Sequence, residues 1–190
     1  MTDRQLLPAL RRHLESLSDR LGNLGEPVEA RIAGGIAVNY YTGHRMSDDV
    51  DIDWSHRVPI PPDMQVFEAP NPDDPHDRHL VAMDGGFSDV MGSFPPDWGK
   101  RAQEVYRAGN IIILMIDPVD LAVSKVARFS DRDREDIRQL AAQGLVDPLL
   151  FAERMEEALD YYVGDTTFVR RNFEEAKEIV AREGDVSGPS

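Results

Sequence analysis

Between Asp49 and Trp54 the chain reads Asp-Val-Asp-Ile-Asp-Trp, a run that few folds can accept. Side chains alternate across a strand, so Asp49, Asp51 and Asp53 share one face while Val50, Ile52 and Trp54 share the other. The apolar face can enter a core. Three carboxylates in a row repel one another and need a cation, a basic partner or open water. Aspartate is also depleted in strands, so local preference opposes the pattern. Such conflicts between local preference and pattern gather at functional sites.

Upstream, Val28 to Ala33 reads as a short strand ending at Gly34-Gly35, and Ile36 to Tyr41 as a short helix stopped by Gly43. Strand, glycine pair and helix bring a backbone turn and a helix N-terminus to one place, where unpaired N–H groups suit a phosphate. Mg²⁺ takes carboxylate oxygens together with the oxygens of a bound phosphate, so a phosphate cradle followed by an acidic strand face is chemically coherent. Two simpler readings stand beside it. The glycine pair can be an ordinary strand-to-helix turn, and the acids can be the charged, solvated face that protects an edge strand.

The glycine pair, thirteen intervening residues, then Asp49-x-Asp51 with Arg45-x-Ser47 just ahead, resembles the nucleotidyltransferase superfamily of DNA polymerase beta type. Within it, the sequence is most similar to minimal, AbiEii-like toxin nucleotidyltransferases and a related bacterial group. The resemblance implies that Gly34 and Gly35 approach a nucleoside triphosphate, with Arg45 and Ser47 in the same motif, and that Asp49 and Asp51 hold two Mg²⁺ (or Mn²⁺) ions. It also implies a third carboxylate from a later strand, for which Asp84 and Asp89 are the candidates. One departure is plain: Ile36 follows Gly35 where the superfamily commonly carries Ser or Thr.

The distal half of the chain carries a second set. Asp117-Pro118-Val119-Asp120 reads as a helix start, Asp117 capping and Asp120 completing the capping arrangement. The helix continues through Leu121, Ala122, Val123, Val126 and Ala127, with Lys125 and Arg128 on one face. Ser130 caps the next helix, which bears Asp133, Asp136 and Ile137. Asp120-Leu121-Ala122-x-Ser124-Lys125-x-Ala127-Arg128, then Arg132-Asp133-x-x-Asp136-Ile137, resembles the distal motifs of the same toxin group. By that resemblance Lys125 would neutralise phosphate charge, one of the two aspartates orienting it, with Arg128 beside them. The competing structural reading is a helix-to-helix ion-pair network of Lys125, Arg128, Asp133 and Asp136.

The remaining stretches bound the architecture. Leucines 6, 7, 10, 14, 17 and 21 predict an amphipathic helix from a Thr2 cap. Residues 57–75 hold six prolines and read as loop, with an edge strand at Met64 to Glu68. His76 and His79 read as surface loop, too few ligands for a metal site. His79 to Met83, Glu104 to Arg107 and Ile111 to Ile116 read as strands, the last apolar enough to be covered on both faces. A short helical turn runs from Pro95 to Arg101, and two further helices follow Asp147-Pro148 and Asp165-Thr166, the last reaching about Ala181. The expected fold is α/β (α+β): a small mixed sheet flanked by helices over 1–116, a C-terminal helical bundle over 117–183 that completes the site, and a frayed tail over 184–190.

With 21 Lys and Arg against 35 Asp and Glu, the 190 residues carry a net charge of −14. From Met46 to Asp97 twelve acids face only Arg57 and Arg78. Such a surface repels the backbone of a long nucleic acid and attracts basic proteins. There is no cysteine, hence no disulfide or thiolate metal site, and no transmembrane run or secretory signal; the expectation is a cytoplasmic protein. The function expected is Mg²⁺-dependent transfer of a nucleoside monophosphate from a nucleoside triphosphate to an RNA or protein acceptor. The resembling group is tied to toxin–antitoxin and phage-defence operons, which implies a transfer RNA or protein acceptor and a small antitoxin or DNA-binding partner. The alternative is a catalytically weak or inactive module of the same fold whose acidic face binds a basic protein.

Overall fold

The computed structural model describes residues 6–22, 25–71, 74, 76–84 and 92–186. The chain divides into two compact units, 1–87 with 102–116 and 88–101 with 117–190.

The first unit is built on a six-stranded mixed sheet. In chain order its elements are α1 (Leu6–Leu21), β1 (Val28–Ile32), α2 (Gly34–Thr42), β2 (Asp49–Trp54), β3 (Val66–Pro70), β4 (Arg78–Asp84), β5 (Gln103–Ala108) and β6 (Ile111–Met115). The strands lie in the order β3-β4-β2-β1-β6-β5. β2 runs antiparallel to β1 and parallel to β4, β6 runs parallel to β1, and the outer pairs β3–β4 and β5–β6 are antiparallel. The alternation read in the sequence has a physical sheet behind it. Val28, Ala30 and Ile32 of β1, Val50 and Ile52 of β2, and Ile111, Ile113 and Met115 of β6 are all buried. Against them pack the leucines of α1, Leu6, Leu10, Leu14 and Leu17 being fully buried, and the apolar Ile36, Ala37 and Val38 of α2.

The other face of the sheet carries the charges. Glu29 and Arg31 of β1 stand beside Asp53 of β2, Arg31 directly opposite Asp53 in register. β6 alternates buried and half-buried residues, so it is not covered equally on both faces as its apolar run suggests. Ile112 and Leu114 pair in register with Glu29 and Arg31, on the charged side. The edge strand β3 lies two residues later than the sequence suggests, because Pro62–Met64 forms a 3₁₀ turn ahead of it.

The second unit holds the short α3 (Trp98–Arg101) and four longer helices, α4 (Pro118–Ser124), α5 (Asp131–Ala142), α6 (Pro148–Tyr161) and α7 (Thr167–Val186). α4 packs on α5 and α6, and α7 on α5 and α6, burying Leu121, Ile137, Leu140, Phe151, Met155 and Phe173. The caps follow the expected chemistry: Asp117, Ser130 and Asp147 each accept backbone N–H bonds at a helix start. α4 ends earlier than its apolar spacing suggests, at Ser124, so Lys125 and Arg128 lie in a turn that closes at Phe129 with φ 48°. α7 continues past Ala181 to Val186; Thr2 and residues 187–190 lie outside the described residues.

Candidate active site

β1 ends at Ile32, Ala33 follows in an extended conformation, and Gly34 turns the chain into α2 at φ +61°. Only glycine occupies that region without strain. The turn is tight for a second reason. A Cβ built on Gly34 would overlap the Asp51 carboxylate, with Asp51 Cγ 2.7 Å away. At Gly35 a Cβ would overlap Ser47 Oγ, with Ser47 Cβ at 2.7 Å and Arg45 Nη1 at 2.9 Å. The glycine pair, Arg45, Ser47 and Asp51 therefore meet at one point, although Gly34 and Asp51 are seventeen positions apart in sequence. The backbone holds the two segments together as well, the Ala33 amide donating to the Asp51 carbonyl at 3.0 Å.

The acidic strand splits into two roles. Asp49 is exposed and Asp51 half-buried, and Ser47 Oγ donates to Asp49 Oδ1 at 3.1 Å. Asp53 is taken: Arg31 Nη1 donates to its Oδ2 at 3.0 Å while Nη2 of the same guanidinium bonds Glu29. Burial disfavours the Arg31 charge, but the bonds and charges of Glu29 and Asp53 outweigh it and raise its pKa. The Asp51 carboxylate lies against Gly34, and Asp49, two residues earlier on the same strand face, is linked to the turn through Ser47. Their donor set, hard oxygens adjoining N–H groups at a helix start, fits Mg²⁺ with a bound phosphate. Asp84 is the register partner of Asp51 on β4; Asp89 lies outside the described residues. Among the described residues no group of three or more His, Asp or Glu is gathered at metal-binding distance.

The distal candidates come together within the second unit. Lys125 is buried; its Nζ lies 3.4 Å from Asp136 and 4.0 Å from Asp133. Arg128 bonds Asp133 through Nε at 2.8 Å and Nη2 at 2.7 Å, its own side chain 70% exposed. Asp133 also closes the capping box with Ser130. Burial would push its carboxyl up, but Arg128, Ser130 and the Lys125 charge overcome this and hold it at about 2. The four residues form the ion-pair network that was the structural alternative for them.

Asp120 departs from its expected part. Its side chain is fully buried and does not complete the α4 cap; it receives Nε and Nη2 of Arg101 at 2.7 and 3.1 Å and Nη1 of Arg154 at 3.0 Å. Burial pushes this carboxyl up, opposed by the two guanidinium groups.

Two further residues at the first unit's site escaped the sequence reading. Asn39, wholly buried in α2, donates Nδ2 to the Arg45 carbonyl at 2.8 Å. His79 lies in β4, as the strand read over His79 to Met83 has it and not the loop reading, and its Nε2 is 2.8 Å from the Ser47 carbonyl. Both had a signal: Asn39 interrupts an apolar helix, and His79 shares strand parity with the buried Val81 and Met83.

A mixed sheet flanked by helices, with a glycine turn set against a pair of strand carboxylates, is the architecture of a nucleotidyltransferase-like α+β protein. The chain belongs to a family of nucleotidyltransferases of unknown function (DUF6036), which matches residues 10–181. No curated protein matches the chain. Among the described residues no helix is long and apolar enough to cross a membrane.

Proposed function

We propose that the chain is a Mg²⁺-dependent nucleotidyltransferase that moves a nucleoside monophosphate from a nucleoside triphosphate to a hydroxyl of an RNA or protein acceptor. The observation that carries the proposal is the meeting of Gly34 and Gly35 with Asp51, Ser47 and Arg45, too close for any side chain at either glycine. Family membership supports the reaction class.

In this reading the N–H groups at the start of α2 and the Arg45 guanidinium bind phosphate oxygens. Asp49 and Asp51 hold Mg²⁺. Bound there, the metal would lower the pKa of the acceptor hydroxyl and stabilise charge on the leaving pyrophosphate. Ser47 orients Asp49 through its 3.1 Å bond. For Lys125, with Arg128, Asp133 and Asp136, the resemblance of the distal motifs is what supports a role in phosphate binding. The likeness of both motif sets to AbiEii-like toxin nucleotidyltransferases supports a toxin-like role in the cytoplasm, with a transfer RNA or protein acceptor and a small antitoxin or DNA-binding partner.

The test is the thermal stability of the purified protein with ATP, GTP, CTP or UTP, each with Mg²⁺, beside Asp51→Asn. A ligand at one hundred times its Kd stabilises by about 2.7 kcal/mol, an easily resolved shift. A Mg²⁺-dependent shift lost in Asp51→Asn is the expected result. A well-folded wild type that no triphosphate stabilises refutes the proposal and leaves a non-catalytic module that binds a basic partner.

A further inference from the structure

The loop from Gly43 to Asp48 has no helix or strand of its own, yet it carries Arg45 and Ser47 into the glycine turn. Something must fix it. Two of its carbonyls are held by side chains from different elements: Asn39 of α2 donates to the Arg45 oxygen at 2.8 Å, and His79 of β4 meets the Ser47 oxygen at 2.8 Å. A carbonyl only accepts, so Nε2 of His79 carries the proton in this bond. The same Nε2 is 3.4 Å from Asp48 Oδ1. Beside this anchor the Ala82 amide of β4 donates to the Asp48 carbonyl at 2.8 Å, so the loop's far end is tied to β4 twice.

Asn39 is an expensive choice for this purpose. It is 0% exposed, and its Oδ1 is buried with no hydrogen-bond partner. A buried orphan acceptor costs free energy that an apolar side chain of similar shape would not. An asparagine kept at such a position is used for its one good bond, the donor to Arg45.

We infer that Asn39 and His79 are positioning residues: they clamp the Arg45–Ser47 loop from two sides, setting the Arg45 guanidinium and the Ser47 hydroxyl against Gly35 and thereby the Asp49 carboxylate that Ser47 bonds. The inference rests on the nucleotidyltransferase reading for what the clamp serves, but the clamp itself is a property of the loop. Neither residue touches the substrate in this scheme.

The experiment compares Asn39→Leu, His79→Leu and His79→Gln with the wild type in two readouts. The first is amide hydrogen exchange over residues 44–49 and at Ala82, without nucleotide. Both leucine variants are expected to exchange about tenfold faster there, the loss of one hydrogen bond. His79→Gln, whose amide nitrogen can reach the place of Nε2, restores protection. The second is affinity for the stabilising triphosphate with Mg²⁺, expected to fall about tenfold in the leucine variants and to recover in His79→Gln. Unchanged exchange in both leucine variants overturns the clamp. A loosened loop with unchanged nucleotide affinity overturns its service to the site. If the wild type binds none of the four triphosphates, the nucleotidyltransferase reading falls, and the exchange data alone decide the clamp.

Discussion

Substituting Gly34 by Ala probes the contact on which the site is built, and it does so without any ligand. Two costs separate cleanly. The first is conformational: a residue with a Cβ at φ +61° loses about 1–2 kcal/mol. The second is steric: the new Cβ overlaps the Asp51 carboxylate and stands 2.7 Å from its Cγ, where carbon atoms prefer about 3.5–4.0 Å. Clearing it forces Asp51 off its rotamer or moves the backbone, an overpacking cost of about 1–3 kcal/mol. Asp51→Ala removes the carboxylate and leaves only Cβ, 3.1 Å from the built atom. In that background Gly34→Ala should cost little more than the conformational part. The four proteins form a double-mutant cycle with an expected coupling of about 1–3 kcal/mol. Gly22→Ala supplies the control, since Gly22 has φ +66° and a Cβ there meets nothing within 4 Å. Urea unfolding at neutral pH measures all five. If Gly34→Ala costs the same with and without the Asp51 carboxylate, the two do not touch, and the meeting of the motif halves is wrong.

Other outcomes follow from particular contacts. Asp53→Asn should keep the Mg²⁺-dependent triphosphate shift that Asp51→Asn loses, because Arg31 already holds Asp53; thermal melts of the two variants side by side test this. Arg101→Met leaves the fully buried Asp120 with Arg154 as its remaining guanidinium partner, and should cost about 3 kcal/mol by urea unfolding, the scale for breaking a buried ion pair. Asp133 has its folded pKa depressed from 3.8 to about 2, so its contribution is fully present above pH 4 and lost as pH falls towards 2. At about 1.4 kcal/mol per unit, the wild type should lose about 2 kcal/mol over that window beyond what Asp133→Asn loses, read from urea midpoints at stepped pH.

Periodicity made most of the fold legible. The leucines of α1 and the alternation in β1, β2 and β4 each mark a face, and the structure buries those faces. Caps were equally readable at Asp117, Ser130 and Asp147, because one side chain and one or two amides suffice to make them. What periodicity cannot tell is what lies across from a face. Ile111 to Ile116 reads as apolar throughout, yet whether Ile112 and Leu114 are covered depends on neighbours brought from Glu29 and Arg31. In the same way α4 stops at Ser124 although its apolar spacing continues, because Ser124 Oγ bonds back to Leu121 and the turn is completed by Phe129.

The site divides along the same line. That the glycine pair and Asp51 lie together was readable from spacing, since strand, turn, helix and returning strand bring them to one edge. That Asp53 lies outside the Asp49–Asp51 pair follows from the resemblance; that Arg31 holds it was not readable. Three acids at identical spacing differ only in what stands on the next strand: Arg31 opposite Asp53, Asp84 beside Asp51, Ala82 beside Asp49. A cation in register turns a carboxylate into part of the sheet, as Arg31 does for Asp53. The part Asp53 plays is therefore set by β1, its neighbour in the sheet, and not by the sequence of β2.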